Sequence, residues 1–243
     1  MVNVDTVYQR VLAIANKEQR GYITPQEFNL FANQAQSDIF EQYFYDINQF
    51  GRVPKNSTEY SNLEDIVDDK ISPFKKRENA PNMLANSIYE IPLHVYKLGT
   101  VTFNNPTSSL ISSRTYIVDE VKEDEYAYII DSPLTKPTRK RPVYVRFTHN
   151  NLAKEVIQVY PRILNGIKYT YIKSPEKVNW GYVVVSDNAL YDSSTSKNFE
   201  LHASEERNLI IKILTLSGIM LKDGNLYQVA NSEEQQNIQQ EKS

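Results

Sequence analysis

The chain has 243 residues but contains no cysteine and only seven glycines. Without cysteine the protein can form no disulfide or thiolate metal site, and it has no Cys nucleophile. Neither the dinucleotide-binding pattern G-x-G-x-x-G nor the P-loop pattern G-x-x-x-x-G-K-[ST] occurs. No apolar run is long enough to cross a bilayer, and the N-terminus lacks the basic-then-apolar pattern of a signal peptide. The sequence therefore predicts no cofactor and no contact with a membrane.

Residue types that carry catalysis are also scarce. The three histidines, His94, His149 and His202, are scattered, and no two stand at a metal-binding spacing such as H-x-x-x-H. Paired carboxylates occur in the acidic run 119–125, which has no apolar surroundings to raise a pKa, so we interpret it as a solvated turn. The nucleophile elbow G-x-S-x-G is absent. Nothing in the sequence predicts an enzyme.

Tyrosine is abundant, with 17 residues, while 40% of the chain is hydrophobic and 23% is charged. These proportions are typical of a soluble globular protein. Tyrosine suits strands and protein interfaces, because it combines apolar area with a polar tip. The net charge of -3 argues against a surface that coats nucleic acid as a whole, but it is compatible with a local basic patch.

Residues 16–28 can be read first as an EF-hand calcium loop. When the loop starts at Asn16, Gly21 falls at position six and Glu27 at position twelve, where that motif has its glycine and its bidentate glutamate. The ligand chemistry does not fit, since Arg20 occupies position five. A cation at a ligand position removes much of the affinity for calcium.

The same residues can also be read as the joint between two helices, and this is the reading we favour. Thr24 is then an N-cap, Pro25 is the first helical residue, and Glu27 completes a capping box. Gly21 would end the preceding helix in a left-handed conformation.

Helical periodicity marks three long segments, residues 5–15, 25–48 and 204–222. Asp5 is the expected N-cap of the first segment. The second segment carries a broad aromatic stripe, and the last is the most apolar helix of the chain. Since neither apolar face can remain in water, we expect the two ends of the chain to meet in one helical bundle. A short acidic helix is expected over residues 62–71.

From residue 87 the apolar period changes to two, which indicates strands. The expected strands are residues 88–92, 95–103, 114–118, 126–131, 142–148, 155–160, 167–172 and 182–185. The pair Asn165-Gly166 predicts a hairpin between two of them. Because no helix is expected between the strands, they should form an antiparallel sheet and not β-α-β units.

The predicted fold class is therefore α+β, with N- and C-terminal helices in a helical bundle and a central antiparallel β-domain. The expected segments are 1–50 for the N-terminal helices, 51–87 for a polar linker or arm, 88–202 for the β-domain, 203–224 for the C-terminal helix and 225–243 for a polar tail. The basic run 75–77 in the arm is expected to be a solvated loop. The arm and the tail lack an apolar pattern, and such segments commonly order against a partner.

Two groups of residues are candidates for contact with partners or with DNA. The first group is the basic run between two prolines, and its cations are Lys136, Arg139, Lys140 and Arg141. Such a loop could touch phosphates without sequence specificity, pair with an acidic patch on a neighbouring subunit, or only keep the surface solvated. The second group is Phe40 and Phe44, which widen the aromatic stripe beyond what one core face needs.

Several segments carry motifs of one known group of proteins. Residues 88–98 look like the strand pattern Y-x-L-P-x-D-x-Y-x-L, with His94 in place of the Asp. The stretches with similar motifs are 126–146, 158–161 with 169–175 and Trp180, and 198–206 before the apolar helix. Together they resemble tail-connector proteins of bacteriophages. Residues 22–28 resemble virion structural proteins of short-tailed phages, especially the crAss-like group that infects gut bacteria.

This resemblance implies a ring or adaptor subunit of a head-to-tail connector, usually present in twelve copies around a DNA channel. The implied partners are further copies of the chain, the portal protein and other tail or ring proteins, with non-specific contact to genomic DNA. The implied location is the neck or tail of the virion, assembled in the host cytoplasm. The resemblance implies no catalytic or cofactor-binding residue.

Two other functions remain as alternatives. The first is a tail accessory protein that binds a receptor or carbohydrate through tyrosine-rich sheet surfaces. The second is a calcium-regulated helix–loop–helix protein, and a calcium titration tests it.

We predict that residues 16–27 bind no calcium with useful affinity, because Arg20 removes a ligand and adds a positive charge. Millimolar calcium should leave the melting temperature of the protein unchanged. A saturable binding isotherm in calorimetry would contradict this prediction.

Overall fold

The computed structural model describes residues 1–17, 23–50, 58–80, 83–84, 87–105, 114–149, 154–186, 188–220 and Ser232. Five helices occur in these ranges: α1 (Val4–Lys17), α2 (Pro25–Phe50), α3 (Thr58–Ile71), α4 (Glu123–Asp131) and α5 (Glu206–Met220). Single turns of 3-10 helix, Ser72–Phe74 and Ala203–Glu205, follow α3 and precede α5.

The strands of the described ranges are β1 (Lys75–Asn79), β2 (Met83–Leu84), β3 (Ile88–Glu90), β4 (Val95–Asn105), β5 (Arg114–Glu120), β6 (Val143–His149), β7 (Lys154–Tyr160), β8 (Ile167–Lys173), β9 (Tyr182–Val185) and β10 (Asn188–Tyr191). The chain divides into two compact units, one of Met1–Pro73 with Pro175–Ser243 and the other of Phe74–Ser174. The α+β class predicted from the sequence is confirmed.

Helix α1 begins after Asn3. The Oδ1 atom of Asn3 accepts hydrogen bonds from the backbone N–H groups of Asp5, at 2.8 Å, and Thr6, at 3.2 Å. Asn3 is therefore the N-cap, and the prediction that Asp5 is the cap is wrong. Asp5 instead accepts a hydrogen bond from the indole N–H of Trp180 at 3.0 Å.

In the first unit, α5 contacts both α1 and α2, and α2 also contacts α3. The expected contact between the last helix and the aromatic second helix is thus present. The fully buried apolar side chains of these helices include Val4, Val7, Val11, Phe28, Ala32, Ala35, Leu209 and Ile213. At about 25 cal/mol per Å² of apolar surface removed from water, burial of this kind is what keeps so apolar a helix as α5 in place.

An extended segment of residues 176–180 lies along α2 in the same unit. Asn33 bonds Val178 in both directions, with Oδ1 accepting from the backbone N–H at 2.8 Å and Nδ2 donating to the carbonyl at 2.9 Å. Asn29 does the same with Trp180, at 2.7 Å and 3.3 Å. The side chains of α2 therefore supply the hydrogen bonds that a neighbouring strand would otherwise supply.

Gln36 extends this row of amides by one position. Its Nε2 donates to the carbonyl of Glu176 at 2.8 Å, and its Oε1 accepts from the backbone N–H of Glu200 at 3.2 Å. Steps of four and then three residues keep the amides on one helical face, about 5–6 Å apart. Alternate residues of an extended chain recur about every 6.7 Å. This spacing is close to that of the amide side chains on α2, so each amide can reach one alternate residue of the extended segment over this short distance.

The second unit contains one eight-stranded sheet, in the order β1-β8-β4-β5-β6-β7-β3-β2. The first strand of the unit, β1, pairs antiparallel with its last strand, β8, and Lys75 lies opposite Ile172. The buried core of the unit is drawn from six of these strands, β3 to β8, and from two positions next to them, Ile91 after β3 and Ile163 before β8. Its members are Tyr89, Ile91, Val101, Phe103, Val118, Tyr144, Ile157, Val159, Ile163, Ile167, Tyr169 and Tyr171.

Two predictions about this sheet are wrong, and both concern residues 126–131. These residues were expected to form a strand, but they lie in α4, whose first turn carries Glu123, Asp124 and Glu125. Acidic residues favour the positive end of a helix dipole, and this outweighs the alternation of Tyr126, Tyr128 and Ile130. Because α4 connects β5 to β6, these two strands pair in parallel, and the sheet is mixed instead of wholly antiparallel.

The predicted hairpin at Asn165-Gly166 is also absent, since β8 pairs with β1 and β4 and not with β7. Gly166 has a positive φ of 87°, and its carbonyl accepts a hydrogen bond from the Asn104 N–H at 2.8 Å. A Cβ at this position would lie 2.4 Å from the Asn104 carbonyl oxygen. The glycine therefore serves a close approach to β4 and not a two-residue turn.

The boundaries predicted for the arm, 51–87, and for the β-domain, 88–202, do not coincide with the boundaries of the two compact units. The predicted arm contains α3, β1 and β2, so the basic run 75–77 is an edge strand and not a loop. The helix expected over residues 62–71 is longer, Thr58–Ile71. Residues 175–202 belong with the helical unit, where β9 and β10 form a separate two-stranded sheet. The predicted tail lies outside the described residues, apart from Ser232.

We predict that Asn33→Ala destabilises the protein by about 2–3 kcal/mol, because it leaves both backbone groups of the buried Val178 without partners. The control is Asn48→Ala, an exposed position on the same helix, which should change the free energy of unfolding by less than about 0.5 kcal/mol. Urea unfolding of both variants measures the difference. Equal stability of the two variants would contradict the role given to Asn33.

Candidate functional site

The joint before α2 forms the capping box that the sequence predicts. The backbone N–H and the hydroxyl of Thr24 donate to the Oε2 atom of Glu27, at 2.9 Å and 2.8 Å. The N–H of Glu27 in turn donates to the Thr24 hydroxyl oxygen at 3.3 Å. These bonds from Thr24 to the carboxylate lower the pKa of Glu27 below its ordinary value. Gly21 and Arg20 lie outside the described residues.

The basic run forms a turn after α4. Thr138 and Arg141 exchange backbone hydrogen bonds of 3.2 Å and 3.0 Å, so Arg139 and Lys140 occupy the tip. The four predicted cations, Lys136, Arg139, Lys140 and Arg141, are all exposed. None of them forms an ion pair with a residue of the described ranges.

Helix α4, directly before this turn, has no buried residue. Tyr126 stacks on Tyr160 of β7 with ring centroids 4.1 Å apart, whereas Tyr128 is 82% exposed and Leu134 is 90% exposed. A nine-residue helix is marginal without tertiary packing. We call Tyr128, Ile130 and Leu134 the α4 surface; the sequence analysis missed it because residues 126–131 were read as a strand.

The predicted pair Phe40 and Phe44 lies on α2. Phe40 is buried, with 2% of its surface exposed, and its ring meets that of Phe44 edge-on at 5.0 Å. Phe44 is half-buried. Phe40 is therefore a core residue of the helical unit, whereas the basic turn belongs to the other unit.

A second apolar surface was missed by the sequence reading. Strands β9 and β10 pair with Val183 opposite Leu190 and Val184 opposite Ala189. Val184 is 62% exposed, and Val183, Val185 and Leu190 are at least half exposed. We call β9 and β10 the apolar hairpin. The run Tyr-Val-Val-Val at residues 182–185 predicts a strand, and the strand is confirmed, but the run does not indicate that its side chains are exposed.

The base of the apolar hairpin is fixed by aromatic contacts. Trp180 stacks on Tyr182 at 5.9 Å and contacts Tyr191 at 5.7 Å, while its other neighbour Tyr8 lies at 4.3 Å. Trp180 is buried and its indole N–H is bonded to Asp5. The base of the hairpin is thus packed on the core of its unit through Tyr182 and Tyr191, whereas the side chains of Val183, Val184, Val185 and Leu190 are exposed to solvent.

His94, which stands in place of the Asp of the resembled motif, belongs to a hydrogen-bond network with Tyr171 and Glu78. Tyr171 Oη lies 2.9 Å from Glu78 Oε1 and 3.0 Å from His94 Nε2. Because a carboxylate only accepts, Tyr171 donates to Glu78 and accepts from His94, whose Nε2 then carries the proton. Burial and then the Glu78 carboxylate raise the pKa of Tyr171 to about 12. The network ties β1 to β8.

Within the described ranges, no three His, Asp or Glu side chains gather as a metal site would require. None of the described helices has the length and apolarity needed to cross a bilayer. No protein-family model matches the chain, and no curated protein is found to be similar to it. The candidate sites that the described residues offer are three surfaces: the basic turn, the α4 surface and the apolar hairpin.

We predict that Glu27→Ala lowers the denaturation midpoint at neutral pH, because the variant loses the capping carboxylate. Since the pKa of Glu27 is lowered on folding, its contribution is present above the usual glutamate pKa of about 4.3 and disappears as pH falls through the folded value. The difference between variant and parent should shrink below about pH 4. Glu41→Ala, exposed on the same helix, is the control; a difference for Glu27→Ala that is constant down to about pH 2 would contradict the prediction.

Proposed function

We propose that the protein is a structural ring or adaptor subunit of a phage head-to-tail connector, which joins the portal to the tail around a DNA channel. The observation that carries this proposal is the presence of two different exposed apolar surfaces, the apolar hairpin in one unit and the α4 surface in the other. Groups of large apolar side chains left exposed on a folded protein commonly belong to interaction sites.

A ring needs two unlike surfaces on each subunit. In a closed ring, the contact between neighbours repeats head-to-tail, so one surface of each copy meets a different surface of the next copy. A two-fold dimer needs only one self-complementary patch. The apolar hairpin is a pair of strands, whereas the α4 surface lies on a helix with charged residues on both sides of it in the sequence. The two surfaces are therefore unlike, which favours the first kind of assembly.

The apolar hairpin has the properties of an interface strand. Its residues 182–191 contain a single charged residue, Asp187, and no lysine or proline of the kind that usually protects a free strand edge. An edge of this type can add a strand from another chain. An isolated two-stranded hairpin is marginal in water, so a neighbour that covers it would also stabilise it.

The α4 surface lies between groups of opposite charge. The first turn of α4 carries Glu123, Asp124 and Glu125, and the basic turn that follows Leu134 carries the four predicted cations. Apolar contact area bordered by charges is the usual anatomy of a specific protein interface. Because the basic turn borders the α4 surface, we favour the interpretation that its cations pair with an acidic patch on a neighbouring subunit.

The remaining parts of the proposal follow from the resemblance of the sequence motifs. They are the copy number near twelve, the portal protein and other ring or tail proteins as partners, and the neck or tail of the virion as the location. The proposed work is geometric, so it assigns no catalysis and no cofactor to the chain.

The alternative, a receptor- or carbohydrate-binding tail protein, relies on a tyrosine-rich sheet surface. The tyrosines Tyr89, Tyr144, Tyr169 and Tyr171 of the eight-stranded sheet are at most 3% exposed. These four form part of the core instead of a binding surface. Tyr96 on β4 is 46% exposed, but one such ring does not make a tyrosine-rich surface, so the described residues give this alternative little support.

The test of the proposal is electron microscopy of the protein mixed with the portal protein encoded in the same genome. The parent should form closed rings on the portal. Leu190→Asp in the apolar hairpin and Leu134→Asp in the α4 surface should melt within about 1 kcal/mol of the parent but fail to form rings, because each places a carboxylate in a subunit contact.

The matched control is Leu30→Asp, at a position that is 71% exposed on α2 and belongs to neither surface. This variant should still assemble. Rings formed by both Leu190→Asp and Leu134→Asp, or a parent protein that forms a fibre at the tail tip, would contradict the proposal.

A further inference from the structure

One side of strands β1, β8 and β4 carries a concentration of positive charge. In β8 the buried tyrosines Tyr169 and Tyr171 face the core, so Lys168 and Thr170, at alternate positions, face outward. Strand pairing extends this side to the two neighbouring strands. Arg77 lies opposite Thr170, and Lys97 lies opposite Ile172.

We call this side of the three strands the basic face. Its cations are Lys75, Arg77, Lys97 and Lys168, and all four are exposed. Neighbouring strands are about 4.8 Å apart, so the cations lie within a patch about 10 Å wide. Among the described residues, Arg77, Lys97 and Lys168 form no ion pair.

Acidic side chains are absent from the outward positions of these three strands. The only carboxylate of β1, Glu78, lies opposite Tyr169 and bonds Tyr171, so it is on the other side. The outward positions between the cations carry mainly small polar side chains, Asn79, Thr102 and Thr170. In a chain with a net charge of -3, this is a local separation of charge.

We infer that the basic face binds the phosphate backbone of duplex DNA. Lysine, arginine and threonine side chains are groups that contact phosphate oxygens, and such contacts position a protein without reading sequence. The outward positions of β1 and β8 hold no aromatic ring on which a base of a single strand would stack. The geometry therefore fits contact with a duplex backbone and no base recognition.

The composition of the basic face separates it from the two surfaces proposed for protein contact. The apolar hairpin and the α4 surface are rich in valine, leucine, isoleucine and tyrosine. The basic face has only the half-buried Ile172 at its centre. Interfaces with DNA are more polar and much more positive than interfaces between proteins, so DNA is the better match for this face.

The inference deepens the proposed function and rests on it in one respect, since a connector that encloses DNA supplies the duplex. It also moves the DNA contact from the basic turn, where the sequence suggested it, to the sheet. The turn lies beside acidic residues and the α4 surface, whereas the basic face has no acid among the outward positions of its three strands.

The experiment measures binding of the free subunit to a fluorescent random-sequence duplex of about 30 base pairs, between about 50 mM and 200 mM salt. The triple variant Arg77→Glu, Lys97→Glu and Lys168→Glu should bind on the order of a hundredfold more weakly. The slope of log K against log salt should fall by about three, one for each phosphate contact removed. The corresponding triple variant with glutamine at these positions removes the three charges without reversing them. It should show the same decrease in the slope of log K against log salt, and comparison with the glutamate variant shows whether charge reversal perturbs the fold.

The control with the same change of charge is Arg139→Glu, Lys140→Glu and Arg141→Glu in the basic turn, which should keep most of the affinity. Equal losses in the two sets, or a parent that binds poly-glutamate but not the duplex, would overturn the inference. Ring formation on the portal is scored separately. If the parent binds the duplex but forms no rings, the connector proposal alone is contradicted. If the parent forms rings but does not bind the duplex, this inference alone is contradicted.

Discussion

The helical unit depends on the pairing between amide side chains of α2 and the backbone of residues 176–180. The unit is made of two distant stretches of chain, and the second enters it as the extended segment 176–180, which pairs with Lys197 only through the isolated bridge at Asn179. Buried N–H and carbonyl groups need partners, and Asn29, Asn33 and Gln36 provide them. This pairing fixes Trp180, which in turn holds both the first turn of α1 and the base of the apolar hairpin.

The parts of the fold that sequence alone could predict are those governed by local chemistry. The capping box of Thr24 and Glu27 is a pattern of four adjacent residues, and α2 and α5 carry strong helical periodicity over many turns. The excursion of the middle of the chain into a sheet follows from the change of period near residue 87. Of the candidate site residues, the basic turn is exposed as expected, because charged residues between prolines have no means of burial.

The parts that could not be predicted depend on contacts between distant residues. A single alternating stretch such as 126–131 fits a strand or a short helix, and only the parallel pairing of β5 with β6 distinguishes them. In the sequence, Asn29, Asn33 and Gln36 of α2 are indistinguishable from ordinary surface residues. Their role depends on the extended segment 176–180, which only the tertiary structure places beside them. Likewise Lys97 and Lys168 are 71 positions apart in sequence, and the register of β4 with β8 is what gathers them on one face. Burial of Phe40 is a further tertiary property that the stripe on α2 does not reveal.

The strands with which the second unit starts and finishes, β1 and β8, are hydrogen-bonded neighbours. The two points at which the chain leaves and rejoins the helical unit in sequence are therefore held about 5 Å apart within the sheet itself. Closely spaced termini are what allow a domain to be inserted into a host domain or removed from it. The stretch that encodes residues 74–174 therefore has the form of an exchangeable segment: recombination could replace the basic face and the α4 surface together and leave the amide side chains of α2 and the apolar hairpin unchanged.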